Sequence, residues 1–556
     1  MYSDKENVNI LTALLVQHGV RHIIVCPGSR NSALSHNFNE HPDIICHPVT
    51  DERSAGFMAL GIALQNRDQL VAVCVTSGSA LLNVLPAVAE ASYQHCGIIV
   101  ISADRPSQWI NQLDGQTINQ VGALGEFVTK TVNLPEPHNE EERWHCNRLV
   151  NEAIIALRRN NRPVHINVPV TEPFFSYSLP ELPKQRLVEY VDWNSNGQRG
   201  KILSLIDNSK RPMIVFGQIP YGTVPKEIQE ANNKVVILHE PLAVDGLTNG
   251  FTDQMISVIS DNNQEFLPDC LIFFGGNTIS KRLRRFMRTF PNDCEVIMVD
   301  EDGELRDITT KATKLVHGKT SQVAEDIFKH INTSDTDYDT TYIDSWGNLR
   351  VQVEKNHLSF EPRYSSMKAV KLFEQHYHGE IVHYANSMSV RLGAIYSEND
   401  YRYCNRGING IEGSLSTAAG ASLALQYAEP KKNVYCVIGD LSFFYDENAL
   451  WQNQLSGNLR ILLLNNNEGA IFRNLKGLEN SPARDQIIAA GHNLSAEGIC
   501  QQFGVTYKKV TDADSLAKGI AWLGSVESQR PVLLEVITSA EEDEKVFKEY
   551  YNNLKK

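Results

Sequence analysis

Short apolar segments alternate with helix-like segments along most of the chain, and few folds are compatible with that alternation. In the first third the apolar segments are HIIVC, VAVCV, GIIVIS and PVHINVPV, which are rich in β-branched residues. Similar segments recur later as PMIVF, KVVIL, CLIFF, NVYCVIG and RILLL. Strands that alternate with helices are typical of parallel sheets covered on both faces. We therefore predict an α/β fold with mainly parallel sheets flanked by helices.

The length of the chain and two interruptions of the alternation between strands and helices indicate several domains. A chain of 556 residues is too long for a single hydrophobic core. The first interruption is the proline-containing segment FFSYSLPELPKQ (174–185), which we interpret as a connection between domains. The second is INTSDTDYDTTYIDSW (331–346), an acidic segment that we expect to be a solvated linker. These interruptions predict three α/β domains, at 1–180, 190–335 and 350–556.

The composition predicts a soluble cytoplasmic protein. The formal net charge of −14 argues against general binding to nucleic acids or to anionic lipids. The first residues, MYSDKENVNI, are polar and acidic, unlike a signal peptide, and no apolar run approaches the roughly 18 residues of a membrane span. The ten cysteines are scattered without a C-x-x-C pair, which favours reduced, buried thiols over disulfides or a zinc site.

Polar residues follow two apolar segments near the end of the chain. NVYCVIG is followed by Asp440, and RILLLN is followed by Asn466 and Asn467. Ligands of open parallel sheets bind beyond the carboxyl ends of the strands, so we expect these side chains at one edge of a sheet. A carboxylate, an amide oxygen and a backbone carbonyl form the hard oxygen set that Mg²⁺ prefers. The pattern therefore predicts a divalent cation that holds a diphosphate.

Gly-Asp followed after 25–30 residues by Asn-Asn resembles the motif of thiamine-diphosphate-dependent enzymes such as pyruvate decarboxylases, acetolactate synthases and transketolases. That resemblance implies a thiamine-diphosphate-binding fold with a pyrimidine-binding domain (PYR), a central domain and a diphosphate-binding domain (PP). By position, the ligands of Mg²⁺ or Mn²⁺ would be Asp440, Asn466 and the carbonyl of Glu468. Two positions depart from the family: Leu441 stands where Gly is usual, and Glu468 where Gly is common. A left-handed backbone at a non-glycine residue would cost roughly 1–2 kcal/mol.

The same resemblance assigns the cofactor site. Thiamine chemistry needs a carboxyl group hydrogen-bonded to the aminopyrimidine, and Glu52 in TDERSAGF matches that catalytic group. Ile411 in NRGINGIEG matches the aliphatic residue that bends the cofactor between its two rings. Ser387, Leu441 and Ser442 match further cofactor contacts.

Several strings narrow the resemblance to one family of these enzymes, the synthases that join 2-oxoglutarate to isochorismate in menaquinone biosynthesis. They are CPGSRNS, DERSAGF, TSGSA, ADRP, ANSMSVR, NRGINGIEGSLSTAAG and GDLSFFYD, and together they span all three predicted domains. The implied reaction decarboxylates 2-oxoglutarate on thiamine diphosphate and adds the resulting succinyl carbanion equivalent to isochorismate. Both substrates are dianions, so the cleft of an acidic protein must concentrate cations. The implied substrate-binding residues are Ser29, Arg30, Arg105, Gln116, Lys281, Arg282, Arg391, Arg406, Ile471 and Phe472.

In this family Glu52 and the metal site come from different subunits, which implies a homodimer or homotetramer with active sites at the subunit interface. Two other functions stay open at this point. One is another thiamine-dependent 2-oxoacid decarboxylase or carboligase of the acetolactate-synthase type. The other is a non-catalytic nucleotide-binding α/β protein, which the lack of a G-x-x-x-x-G-K-[ST] sequence and of a dinucleotide fingerprint disfavours.

Overall fold

A computed structural model describes residues 1–65, 69–243, 250–260, 263–397, 400–430, 432–475 and 477–556. It contains three six-stranded sheets flanked by helices, and every strand pairing given for them is parallel. The predicted α/β class is therefore confirmed.

The strands form three separate groups along the chain. Their bounds are β1 His22–Val25, β2 Ile45–Pro48, β3 Val71–Val75, β4 Ile99–Asp104, β5 Lys130–Asn133, β6 Val164–Pro169, β7 Glu189–Asp192, β8 Pro212–Phe216, β9 Val236–Leu238, β10 Cys270–Phe274, β11 Glu295–Asp300, β12 Lys314–His317, β13 Ile381–Tyr384, β14 Tyr403–Cys404, β15 Val434–Gly439, β16 Leu459–Asn465, β17 Thr506–Val510 and β18 Val532–Ile537. The strand orders are β2-β1-β3-β4-β6-β5, β7-β12-β11-β10-β8-β9 and β14-β13-β15-β16-β18-β17. Central strands such as β3, β4 and β16 are buried along their whole length, because helices cover both faces of the sheet.

Nineteen α-helices connect these strands within the described residues. Their bounds are α1 Glu6–Gln17, α2 Ser32–Glu40, α3 Glu52–Gln65, α4 Ser79–Asn83, α5 Leu85–Tyr93, α6 Glu140–Asn160, α7 Asn196–Asn208, α8 Ile228–Ala231, α9 Thr252–Val258, α10 Lys281–Arg288, α11 Thr320–Thr333, α12 Thr340–Ser359, α13 Ser366–His376, α14 Met388–Tyr396, α15 Ser414–Leu425, α16 Asp440–Tyr445, α17 Glu497–Phe503, α18 Ala513–Ser525 and α19 Ala540–Asn553. Several helices begin where sequence rules place them, at a polar residue whose side chain accepts a backbone N–H. These capping residues are Asn139, Ser280, Asp339, Ser365 and Asp512.

The chain divides into two compact units. The first comprises Met1–Arg199 with Asp300–Gly318, and the second comprises Gly200–Val299 with Lys319–Lys556. The boundaries of the three predicted domains stay a prediction. Nine of the ten cysteines are buried, as their positions in apolar segments predicted. None of the helices in the described ranges is both long enough and apolar enough to span a bilayer.

The expected solvated linker at 331–346 is wrong. Helix α11 continues to Thr333 and α12 begins at Thr340, and Asp339 caps α12 by accepting the N–H of Tyr342 at 3.2 Å. Tyr342 and Trp346 are buried and lie one helical turn apart, on the same side of α12. The acidic residues lie near the start of an amphipathic helix, and the apolar face of that helix continues beyond residue 346. The composition of 331–346 alone therefore gave the wrong prediction.

A buried ionic cluster supports the last sheet. The Arg402 side chain is 1% exposed, and its guanidinium donates to Oε1 and Oε2 of Glu374 and to Oδ2 of Asp400. The hydroxyl of Tyr384, in β13, donates to Glu374 Oε1 at 2.5 Å. A buried charge is tolerated only while its partners satisfy it, so these groups depend on one another.

We predict that Arg402→Met lowers the free energy of unfolding of the second unit by about 3–5 kcal/mol, because it leaves Glu374 buried without its cation. Arg363, which is largely exposed and pairs with Glu542 and Glu549, offers a matched control. Arg363→Met should cost under about 1 kcal/mol. Urea unfolding followed by circular dichroism measures both variants, and equal losses for the two would contradict the assigned role of Arg402.

Candidate active site

Strands β15 and β16 lie side by side in parallel register, with Gly439 opposite Leu464. Both strands therefore end at the same edge of the sheet, as the sequence predicted. Asp440, the first residue of α16, has its carboxylate turned to the end of β16. Its Oδ1 accepts the N–H of Leu441 at 2.7 Å, and its Oδ2 accepts the N–H of Asn466 at 3.0 Å. Helix α16 ends at Tyr445, and a 3₁₀ segment, Glu447–Trp451, follows it.

The Asp440 carboxylate is 4% exposed in an environment that disfavours its charge. Burial raises the pKa of Asp440 to about 7, although backbone N–H groups oppose the shift, and the charge of Asp543 raises it further. His492 Nε2 lies 3.5 Å from Asp440 Oδ2, but burial lowers the pKa of His492, so the ring is neutral near pH 7. That Nε2 atom is buried and makes no hydrogen bond to any residue that the structure describes. A divalent cation at Asp440 would supply the missing positive charge.

The residues after β16 turn sharply around the Asp440 carboxylate. Asn467 has a φ of 67°, a left-handed conformation that the short amide side chain of asparagine tolerates. The positive φ therefore falls on Asn467 and not on Glu468. The Glu468 carboxylate pairs with Arg473, while its carbonyl accepts the N–H of Ala470 at 3.0 Å. A carbonyl oxygen has a second lone pair, so this one can still bind a cation.

One cavity of about 130 Å³ in the second unit brings together nine residues that the sequence resemblance singled out. Its wall includes the first turn of α14, the start of α16, the end of β16 and the first turn of α19. The nine residues are Ser387, Ile411, Asp440, Leu441, Ser442, Asn466, Glu468, Ile471 and Phe472. Backbone N–H groups at the start of α14 offer donors for a phosphate, and oxygen ligands for its cation lie in the same cavity.

Asn386, between β13 and α14, holds the loop that carries Ile411. Its Nδ2 donates to the carbonyls of Asn405 at 2.8 Å and Gly410 at 2.6 Å. Its Oδ1 accepts from the guanidinium of Arg406 at 3.0 Å. Asn386 thus fixes both an apolar residue of the cavity wall and a cation. Sequence reasoning missed it, although it lies in the ANSMSVR string, because an amide after a strand gives no distinctive signal.

Three basic residues of the second unit that are predicted to bind substrate lie near other positive charges. They are Lys281, Arg391 and Arg406. Burial and then the charge of Arg391 lower the pKa of Lys281, and burial and then Arg406 lower the pKa of Arg391. Arg391 donates to the Ser387 carbonyl at 2.5 Å, and Arg406 donates to the Thr278 carbonyl at 2.7 Å. The Arg406 Nε atom is buried and, among the described residues, has no hydrogen-bond partner. These three side chains are suited to an anionic ligand.

Arg282 differs from its neighbours because it already has a counter-ion. Its guanidinium donates to Asp253 Oδ2 at 2.6 Å and lies 4.1 Å from the centroid of the Tyr551 ring. The Tyr551 hydroxyl donates to the same Asp253 oxygen at 2.6 Å. The helix start that carries Lys281 and Arg282 is also held by Glu240, which accepts the N–H groups of Ile279 and Ser280. Asp253 and Glu240 are further residues that sequence reasoning missed.

In the first unit, Glu52 is the first residue of α3 and is half-buried. Its Oε2 accepts from Asn83 Nδ2 at 3.2 Å, which holds the carboxylate near the start of the helix. Large apolar side chains of the same two helices, α3 and α4, are exposed, with Phe57 at 44%, Met58 at 53% and Leu82 at 43%. Exposed apolar side chains of this size are typical of a face that another chain covers.

The remaining predicted residues of the first unit fall into two groups. Arg30 and Arg105 line one cavity of about 650 Å³. Arg30 donates to Glu172 at 2.9 Å, and Arg105 donates to Asp114 at 2.5 Å and to Ser77 at 3.1 Å. Two other predicted residues, Ser29 and Gln116, do not belong to the lining of that cavity. Ser29 is exposed, and Gln116 has a φ of 55°.

The donor set fits a magnesium-type ion better than a transition metal. Across the part of the chain that the structure describes, no three His, Cys, Asp or Glu side chains are grouped as metal ligands. The oxygen atoms of Asp440, Asn466 and Glu468 instead offer one carboxylate, one amide and one carbonyl in a single cavity. Hard oxygen ligands completed by water and phosphate are the set that Mg²⁺ prefers.

Two family descriptions match the chain. "Thiamine pyrophosphate enzyme, N-terminal TPP binding domain" matches residues 6–123, and "Thiamine pyrophosphate enzyme, C-terminal TPP binding domain" matches residues 387–536. The second range contains the predicted metal ligands and most of the cavity described above, and the first contains Glu52.

Curated relatives align over the whole chain. A 2-succinyl-5-enolpyruvyl-6-hydroxy-3-cyclohexene-1-carboxylate synthase of Bacteroides fragilis is 40% identical over 569 aligned positions and covers 100% of both chains. Synthases of the same name from Phocaeicola vulgatus and Bacteroides thetaiotaomicron are 39% and 37% identical, and each covers at least 99% of both chains. The chain therefore belongs to the 2-succinyl-5-enolpyruvyl-6-hydroxy-3-cyclohexene-1-carboxylate synthase family of thiamine pyrophosphate enzymes.

Proposed function

We propose that this protein decarboxylates 2-oxoglutarate on thiamine diphosphate and adds the resulting succinyl carbanion equivalent to isochorismate. The products are 2-succinyl-5-enolpyruvyl-6-hydroxy-3-cyclohexene-1-carboxylate and CO₂, in the menaquinone pathway. The observation that carries the proposal is the cavity of the second unit, which joins an oxygen-ligand set to a helix start and an apolar wall. Full-length identity of 37–40% to synthases of that name supports it.

The chain's own residues would hold the cofactor through its diphosphate and a divalent cation. Asp440, the Asn466 amide oxygen and the Glu468 carbonyl would bind Mg²⁺ or Mn²⁺. Backbone N–H groups around Ser387 and the side chains of Leu441 and Ser442 would contact the cofactor, since they line the same cavity. Ile411 would support the bent form of the cofactor from the loop that Asn386 holds. When bound, thiamine diphosphate supplies the nucleophilic carbon and the electron sink for decarboxylation.

Glu52 would hold a proton at the aminopyrimidine ring. A carboxyl group hydrogen-bonded to a ring nitrogen favours the imino tautomer and so promotes proton removal from the reactive carbon. We propose that Glu52 of one subunit serves the metal site of another, which requires at least a homodimer. The exposed apolar side chains of α3 and α4, the helices that carry Glu52 and Asn83, support a subunit contact there.

The basic residues would bind the carboxylates of the two dianionic substrates. Lys281, Arg391 and Arg406 suit this role best, because burial disfavours the charge of all three, and repulsion by neighbouring cations disfavours those of Lys281 and Arg391 further. An anionic substrate would relieve that repulsion. Arg30 and Arg105 line a separate cavity of the first unit and would contribute from there, together with Ser29 and Gln116. Arg282 would act with Lys281, and Ile471 and Phe472 would form the apolar wall of the site.

We place the reaction in the cytoplasm, which the nine buried cysteines support.

We predict that the protein consumes isochorismate only when 2-oxoglutarate, thiamine diphosphate and Mg²⁺ are all present. The loss of isochorismate absorbance measures the reaction, and each component is omitted in turn. Pyruvate offered alone is the control for an acetolactate-synthase-type enzyme. Turnover of pyruvate with no isochorismate loss would contradict the proposal in favour of that alternative, and no CO₂ release from any 2-oxoacid would favour a non-catalytic protein.

We predict that Glu52→Gln lowers kcat by about 10²–10⁴-fold, the usual contribution of a positioned acid or base. The amide keeps the shape of the carboxyl group, so the variant should still be stabilised by thiamine diphosphate with Mg²⁺. Glu90→Gln is the matched control, because Glu90 is an exposed acid of the same unit. Turnover of Glu52→Gln within a few-fold of the wild type would rule out the proton role of Glu52.

We predict that Asp440→Ala abolishes the stabilisation that thiamine diphosphate gives in the presence of Mg²⁺. For the wild type, ligand at about 100 times Kd should add about 2.7 kcal/mol to the free energy of unfolding. Asp485→Ala removes an acid that is 56% exposed and should leave this gain intact. Thermal unfolding with and without Mg²⁺ measures the difference, and a full gain in Asp440→Ala would mean that the cation binds elsewhere.

A further inference from the structure

Asp543 lines the same cavity as Asn466, and its carboxylate accepts a hydrogen bond from the Asn466 amide. Asp543 belongs to α19, beyond the matched range 387–536, and no sequence motif marks it. Its Oδ1 accepts the N–H of Ser366 at 2.7 Å. Its Oδ2 accepts from Ser366 Oγ at 2.6 Å, from Thr538 Oγ1 at 3.1 Å and from Asn466 Nδ2 at 2.9 Å. The carboxylate thus accepts four hydrogen bonds, three of them at Oδ2, which is the oxygen that holds the Asn466 amide.

An asparagine amide can present either its oxygen or its NH₂ group in a given direction, and the two arrangements differ by a half turn. A carboxylate accepts hydrogen bonds and cannot donate them, so Asp543 holds the NH₂ group of Asn466. Asn466 Oδ1 must then lie on the other side, where it accepts the N–H of Glu468 at 3.3 Å and keeps a lone pair. The backbone N–H of Asn466 is independently held by Asp440 Oδ2 at 3.0 Å.

We infer that Asp543 is a positioning residue that turns the Asn466 amide so that its oxygen, and not its nitrogen, faces the divalent cation. The inference rests on the proposed function, because it assumes a cation at Asp440 and Asn466. A cation is attracted by an amide oxygen and repelled by an NH₂ group, so the wrong orientation would remove one ligand. Groups that orient a metal ligand from behind typically change metal affinity by about 10–100-fold when they are replaced.

The test is Asp543→Asn, which keeps the shape of the side chain. The N–H of Ser366 requires the remaining oxygen of the new side chain, so its NH₂ group would face Asn466. The Asn466 amide would then turn its own oxygen toward position 543 and its nitrogen toward the cation. We expect the Mg²⁺ concentration that gives half of the thermal stabilisation, at saturating thiamine diphosphate, to rise about 10–100-fold.

Three further variants separate the effect of amide orientation from the effect of charge. Asp543→Ala removes the same negative charge but presents no NH₂ group, so it should weaken Mg²⁺ binding less than Asp543→Asn does. Glu542→Gln removes a charge from the preceding residue, where Glu542 pairs with Arg363 at 3.0 Å, and should leave Mg²⁺ binding unchanged. The combined variant Asn466→Asp with Asp543→Asn gives position 466 an oxygen on both sides. It should bind Mg²⁺ at least as tightly as the wild type, even if Asp543→Asn alone folds poorly.

Four outcomes are decisive. A larger loss in Asp543→Asn than in Asp543→Ala, with recovery in the combined variant, supports the inference. Wild-type Mg²⁺ dependence in Asp543→Asn, or a loss no greater than that of Asp543→Ala, overturns it and leaves the proposed function intact. Loss of Mg²⁺ binding in the combined variant also overturns it. No Mg²⁺-dependent stabilisation of the wild-type protein would instead remove the proposed cation site, and with it the inference.

Discussion

The parallel pairing of β15 with β16 is the constraint on which the candidate site depends. Gly439 lies opposite Leu464, so Asp440 and Asn466 leave their strands at the same level of the same edge. Burial of the Asp440 carboxylate is costly, and two backbone N–H groups offset only part of that cost. The sheet thus holds a partly unsatisfied carboxylate at the point where a cation and a diphosphate would bind. A shift of the register by one residue would separate the two side chains and turn them to opposite faces.

Near this edge of the sheet, buried polar side chains hold the neighbouring loops in place through hydrogen bonds. Asn386 holds the loop before Ile411 by two backbone carbonyls. Asp543, in α19, connects the start of α13, the residue that follows β18 and Asn466. Each of these side chains satisfies several donors or acceptors at once. Polar networks of this kind are rigid when every member is paired, which suits a site that must hold a cofactor in one geometry.

The basic residues of the second unit are not equivalent, although their residue types suggest that they are. Arg282 has a carboxylate partner in Asp253 and an aromatic face in Tyr551, so its charge is already compensated. Burial lowers the pKa of Lys281, Arg391 and Arg406. Neighbouring guanidinium groups lower it further for Lys281 and Arg391, whereas Cys404 and Glu240 oppose the shift for Arg406. The chain as a whole carries a net charge of −14 and yet concentrates cations in one place. This local field is what would attract a dianionic substrate to an acidic protein.

The order of apolar segments was enough to predict the α/β class, the parallel sheets and the convergence of Asp440 with Asn466, because strand periodicity and strand ends are local properties of the chain. Local composition misled at 331–346, where Asp339 caps an amphipathic helix whose burial depends on distant partners such as Phe266. Asp543 and Glu240 could not be found in the same way, since each is one acid among 66 Asp and Glu residues. Their roles arise from contacts with residues 177 and 39 positions away, which only the folded chain brings within hydrogen-bond distance.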